Sequence, residues 1–343
     1  MHSKGVGAMN IQTAIKNFIE FHDIGNDSPY TLRNYARALR RFAMWLETEH
    51  GITDTDALEV DHLRGWVSYL QKTPSRRGSK RSDSTVQQYS LIMVVFCHWL
   101  EFEGKIEKPI TTRFKLPKVE EKFIPTFTPD DIEQLLRACD EGDRRKPRLH
   151  KALTARNRAI VSVLVDAGLR RSEIIGLRLR DVDRDLRLLM VHRKGNKEQQ
   201  VPISRDGFKP LHEYLTRHRP YLAKLDGATV ARKDDAVFLA DDGKPLTTWG
   251  VGALFRRLKE RTGIDDKRVT AHQCRRYMAT TQLASGRSPF DVQRQMGHRS
   301  LNMTNHYASL TTYQLQRSHE QHSPLRAKSM GDTREMGTGY WEE

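Results

Sequence analysis

Apolar residues recur every three to four positions through the first hundred residues. Ile11, Ile15, Phe18 and Ile19 mark one helical face, and Leu32, Tyr35, Leu39, Phe42 and Leu46 mark a second. Ser28-Pro29 opens that second run: the serine oxygen can accept a free N–H, and proline is pre-set for the first turn. A third helix is expected over 58–70. A polar, basic loop over 73–81 then interrupts the pattern. A fourth helix starts near Asp83-Ser84 and carries Val86, Tyr89, Ile92, Val95, Phe96 and Trp99. Four such helices predict a compact bundle, assigned to residues 1–107.

Periodicity then fails. Lys108-Pro109 and the stretch from Leu116-Pro117 to Ile124-Pro125 are rich in proline and charge, so 108–126 is read as a linker. Thr128-Pro129-Asp130-Asp131 restarts helix with an N-cap, a proline and acids in the first turn. Helices are expected over 159–169, 171–177, 248–261 and 274–285. Period-two runs at 186–191 and 199–203 read as a hairpin, with Gly195-Asn196 in its connection, and 236–239 reads as a third strand. A second domain is therefore expected over 127–325. It ends in a short helix at 312–319, and a polar tail at 326–343 is expected to be disordered. The predicted class is mainly α with a small antiparallel sheet, in two domains.

Charge sharpens this picture. The 343 residues carry a formal net charge of +15. Residues 1–120 hold 17 basic and 14 acidic side chains, against 41 and 29 in 121–343, so the excess lies in the second domain. A polyanion is the natural partner. Cys97, Cys139 and Cys274 form no spaced framework, which suits a reducing compartment. No apolar run approaches the ~18 residues of a membrane span, and residues 1–9 lack a signal-peptide core. A soluble, cytoplasmic protein with no membrane association is expected.

Chemistry concentrates in the second domain. Arg170 stands in Ala167-Gly168-Leu169-Arg170-Arg171-Ser172-Glu173-Ile174, and Lys194 stands in Arg193-Lys194-Gly195-Asn196-Lys197. His272 and Arg275 form an H-x-x-R pair, His298 follows Met296-Gly297, and Tyr307 comes nine residues later. Two arginines can clamp the non-bridging oxygens of a phosphodiester under attack. Glu173 can face Arg170 across one helical turn. A turn lysine can protonate a leaving oxygen, with Lys197 as the alternative donor. A metal reading fits poorly: there is one histidine in H-x-x-R, no cysteine pair, and an arginine that would repel a cation. No cofactor is expected, and no P-loop signature is present. Tyrosine needs a base or a positive site to act as a nucleophile. Tyr313 is the nearest rival of Tyr307, and Arg171 is the rival of Arg170.

This ordered series resembles the active site of the tyrosine recombinases, the phage-integrase and Xer-like family. The match runs from about Ile11 to Leu325. The resemblance selects Arg170, Lys194, His272, Arg275, His298 and Tyr307 as catalytic, with Glu173 orienting the site. It implies a two-domain, C-shaped DNA clamp: a helical, SAM-like core-binding domain plus a catalytic domain. It implies cleavage and rejoining of double-stranded DNA through a 3′-phosphotyrosine, without metal or ATP, at sites with inverted repeats. It further implies a tetramer on DNA, optional accessory DNA-bending proteins, and a prokaryotic nucleoid setting. Two departures stand out: Arg193 occupies a position where the family usually has glycine, and Arg171 one that is often aliphatic. A type IB topoisomerase-like relaxase and a catalytically silent DNA-binding regulator are the alternatives.

Overall fold

The structure is a computed structural model. It describes residues 9–75, 78–106, 109–120, 124–140, 145–193, 197–225, 235–297 and 319–320. The chain divides into two compact units, Met1–Phe123 and Ile124–Glu343.

The first unit is built from α1 (Ile11–Ile24), α2 (Pro29–His50), α3 (Val60–Lys72) and α4 (Asp83–Phe102). Local chemistry sets the ends. The Ser28 side chain accepts from the Thr31 N–H, with Pro29 in the first turn of α2. Gly51 closes α2 in the left-handed region at φ 65°, which glycine adopts without Cβ strain. The apolar faces meet in a core where Phe18 lies 5.4 Å from Phe96 and 5.6 Å from Trp99. Trp66 is buried against Phe42 and Trp45. Each such ring contributes roughly 1.5–3 kcal/mol of burial. Ile106 and Ile110 extend this core beyond α4, and Gln87 donates to the Pro117 carbonyl at 3.0 Å.

The second unit contains α5 (Pro129–Arg137), α6 (Pro147–Asp166), α7 (Arg171–Gly176), β1 (Val182–Asp183), β2 (Leu188–Arg193) and β3 (Lys197–Pro202). It continues with α8 (Arg205–Glu213), which runs through one π-turn (Tyr214–His218) into α9 (Arg219–Ala223). Then come α10 (Thr248–Thr262), α11 (Ala271–Ala284) and α12 (Pro289–Met296). Helix α6 is central: Ala159, Ile160, Val161, Val163 and Leu164 are all buried, and the helix packs on α8 and α11. At its end Asp166 accepts from the backbone N–H and hydroxyl of Ser204, at 2.7 and 2.8 Å. This fixes the start of α8, because Ser204 in turn accepts from the Gly207 N–H.

The sheet is antiparallel in the order β1-β2-β3. Leu189 pairs with both Val182 and Val201, and Arg193 pairs with Lys197. Leu189, Val191 and Val201 are buried, as strand alternation requires. Three expectations need correction. The hairpin strands are Leu188–Arg193 and Lys197–Pro202, offset by up to two residues from the apolar runs. The stretch 236–239 is not a ladder strand but makes isolated bridges, Arg178 with Ala236 and Leu239 with Pro245. Its apolar run reflects burial of all four residues, and the third strand is Val182–Asp183 instead. The helix expected to open at Cys274 opens at Ala271, capped by Thr270, which accepts from the Gln273 N–H. The expected helix 312–319 (apart from His319) and the tail 326–343 lie outside the described residues.

Candidate active site

The site begins where α6 ends. Gly168 turns the chain at φ 68°, and a Cβ there would collide with Met278 of α11. Leu169 is buried, and Arg170 follows in extended backbone as the N-cap of α7. Glu173, one turn on, accepts the Arg170 backbone N–H at 2.7 Å and pairs with its guanidinium at 2.6 Å. The Glu173 side chain is only 4% exposed, and two more arginines face it: Arg193 at 3.5 Å and Arg275 at 3.9 Å. One buried carboxylate thus faces three cations from three elements. The local field is strongly positive, and a carboxylate so placed fixes the arginines more than it neutralises them.

Arg275 projects from α11 and is buried. It donates to the Gly168 carbonyl at 2.5 Å and to the Met296 carbonyl at 2.6 Å. Arg170 is half-buried, with its second guanidinium nitrogen 3.4 Å from the Gly297 carbonyl. Arg193 bonds the Met296 carbonyl, and the Gln295 carbonyl at 2.7 Å. Gln199 of β3 reaches the Arg294 carbonyl at 2.5 Å. Four successive carbonyls at the end of α12 therefore receive side-chain donors. They lie in the last turn and C-cap of the helix, where carbonyls lack i+4 partners, at the negative end of its dipole; the Arg294 carbonyl also accepts from the Gly297 N–H at 3.0 Å.

Arg170, Arg275 and His272 line one cavity of about 690 Å³, together with Arg171, Arg256 and Lys259. Its floor is apolar, formed by Val251, Phe255 and Val269. His272, on the first turn of α11, is exposed. Shielding by surrounding protein, then the fields of Arg275, Arg276 and Arg170, hold its pKa below the ordinary imidazole value. His272 is thus neutral at neutral pH and able to accept a proton.

The structure brings Arg170, Glu173, His272 and Arg275 together. Lys194, His298 and Tyr307 lie outside the described residues, as does the rival Tyr313, although Arg193 and Gly297 immediately precede two of them. Sequence reading left out Arg256 and Lys259 of α10. Their i, i+3 spacing on the polar side of a recognised helix was the available signal. It also left Arg193 without a role. Among the described residues no group of three or more histidine, cysteine or acidic side chains could hold a metal, and no helix is long and apolar enough to cross a membrane.

Comparison with solved structures fixes the class of fold. The Tn1549 transposon integrase, in complex with a circular intermediate DNA, superposes with a TM-score of 0.67. That match has 20% identity and covers 91% of this chain and 99% of the other. The XerH recombinase bound to its difH substrate gives 0.64 at 19% identity, covering 89% and 82%. The phage integrase family model matches residues 125–313, and that of the phage integrase N-terminal SAM-like domain matches 15–101. The chain belongs to the phage integrase family and is a tyrosine site-specific recombinase. It is 30% identical to the tyrosine recombinase XerD of Mycobacterium tuberculosis over 286 residues, 83% of this chain and 88% of that one. It is 27% identical to XerD of Listeria innocua over 297 residues, 87% and 93% of the two.

Proposed function

We propose that this recombinase cleaves double-stranded DNA with Tyr307 and holds the reacting phosphate on Arg170 and Arg275. The observation that carries this reading is the convergence of both arginines on Glu173 at the wall of one cationic cavity. The Tyr307 oxygen attacks phosphorus as the bond to the 5′-oxygen breaks, leaving a 3′-phosphotyrosine. Neutral His272 takes the phenolic proton, and Lys194 gives a proton to the leaving 5′-oxygen. Charge building on the non-bridging oxygens meets guanidinium donors already fixed in place, with His298 as a further donor. The 5′-hydroxyl of a partner strand then reverses the step and rejoins the backbone. The energy of the broken bond is kept in the phosphotyrosine, so the cycle closes without ATP.

The same reading has residues 1–107 and 127–325 both bind DNA, joined by the 108–126 linker. The working state is a tetramer that pairs two sites with inverted repeats, in the cytoplasm, aided where needed by DNA-bending proteins. Covalent trapping on a suicide substrate tests the chemistry. Tyr307→Phe should bind DNA normally and form no adduct; an adduct in that variant would move the nucleophile to Tyr313 or elsewhere. Binding should also weaken by roughly 10³-fold or more between 50 and 200 mM salt if about six phosphates are contacted. Strand exchange between two sites, rather than relaxation of one plasmid, separates recombination from a topoisomerase-like cycle.

A further inference from the structure

Arg193 is placed where a strand should bury an apolar side chain. It shares the inward face of β2 with Leu189 and Val191, and its own side chain is 8% exposed. Its Nε is buried with no hydrogen-bond partner among the described residues. Burying such a group costs stability, and an aliphatic residue would fill the same face more cheaply. What Arg193 does instead is cross to another element. Its terminal nitrogens take the Gln295 and Met296 carbonyls of α12, and its charge faces Glu173. Gly297 leaves room for it: this residue turns at φ 62°, and a Cβ there would strike the Arg193 guanidinium. Gln199, from the paired strand, makes the neighbouring bond to the Arg294 carbonyl. The hairpin end is therefore tied to α12 by side chains from both strands. The next residue after Arg193 is Lys194, and the next after Gly297 is His298.

We propose that Arg193 is a positioning residue for strand cleavage: by locking the β2–β3 hairpin to the end of α12, it holds Lys194 at the leaving 5′-oxygen. This rests on the reading of Lys194 as the acid. In the step concerned, the P–O5′ bond breaks as the bond from phosphorus to the Tyr307 oxygen forms. The Lys194 ammonium passes one proton to O5′ and becomes a neutral amine. In rejoining, the attacking 5′-hydroxyl returns that proton. Loosening the hairpin displaces the donor, while Arg170 and Arg275 keep Glu173 and their own bonds to the Gly168, Met296 and Gly297 carbonyls; a misplacement of about 1 Å can cost on the order of 10²-fold.

The test uses the full chain in single-turnover cleavage of a suicide substrate, with either an ordinary phosphate or a 5′-bridging sulfur, which leaves as a thiolate without an acid. Arg193→Met keeps the packed volume and removes the donors. It should slow cleavage of ordinary DNA by about 10- to 100-fold. On the sulfur substrate it should stay within about threefold of the unaltered chain, with DNA affinity unchanged. Combined with Lys194→Ala it should add almost nothing, because a positioning residue is silent once its target is gone. Equal losses on both substrates, or an unchanged rate on ordinary DNA, overturn the inference while leaving Lys194 as the acid. If Lys194→Ala itself fails to recover on sulfur, the acid assignment falls and the inference with it. Should Arg193→Met not fold, Arg193→Lys keeps the charge but loses the fork and is judged by the same two rates.

Discussion

Replacing Glu173 by glutamine removes one charge and almost no volume. The carboxylate lies 2.6, 3.5 and 3.9 Å from the guanidinium nitrogens of Arg170, Arg193 and Arg275. Each contact at about 4 Å is worth roughly 4 kcal/mol gross at an effective dielectric near 20, most of it offset by desolvation. Removing one partner of a buried pair costs about 3–5 kcal/mol net, because the remaining charge is left uncompensated. Arg170 is 38% exposed and keeps part of its solvation, which places the expected loss near ~3 kcal/mol. For a unit of this size, at about 2–4 °C per kcal/mol, the transition should fall by roughly 6–12 °C. Calorimetry of the full chain, following the transition of the second unit, measures this. Bound DNA should narrow the difference, since its phosphates supply the missing negative charge. A shift below about 2 °C without DNA would refute the view that Glu173 organises the three arginines.

Three further outcomes follow from the same geometry. Burial works against ionisation of Asp131, but its bonds to Lys267 at 2.8 Å and to Thr128 outweigh it and hold its pKa below the ordinary carboxylate value. A depressed acid stabilises above its unfolded pKa, so this contribution should vanish as pH falls below about 4; an Asp131→Asn variant should show a flatter acid limb in urea unfolding. With the His272 pKa lowered, the rate of adduct formation should hold through pH 6.5 and decline only below it; a decline beginning above 7 would contradict its role as proton acceptor. Burial, followed by Glu101 for Cys97 and by Cys139 for Cys274, pushes both thiols well above their ordinary pKa. All three cysteines should therefore resist a thiol reagent in the native chain and react only on unfolding.

Helices with strong ends were legible in the sequence. Ser28-Pro29 and Thr128-Pro129 announced α2 and α5 because capping is local chemistry that a few residues encode. The same signal, Ser288-Pro289, would have revealed α12. The apolar run at 236–239 misled because burial alone does not distinguish a ladder strand from a buried loop. Strand ends were misplaced for a related reason: Arg193 and Lys197 look like turn residues, and only the register shows them as the last ladder pair. Arg170 and Glu173 could be coupled from their spacing. That Arg193 and Arg275 meet the same carboxylate could not, because this depends on how β2 and α11 pack around α7.

The β2–β3 hairpin is secured at two places. At its foot, Asp166 of α6 clasps Ser204 just after β3. At its far end, Arg193 and Gln199 fasten it to α12. In mechanical terms it is a beam supported at both ends and not a cantilever. Load applied along its span passes into α6 and α12, so the hairpin deflects little and carries those helices with it. Releasing the far support would leave the hairpin tip overhanging its base, where the β1 pairing, the buried Leu189, Val191 and Val201, and Ser204 still hold it; the swing of such a tip grows with the length of the overhang.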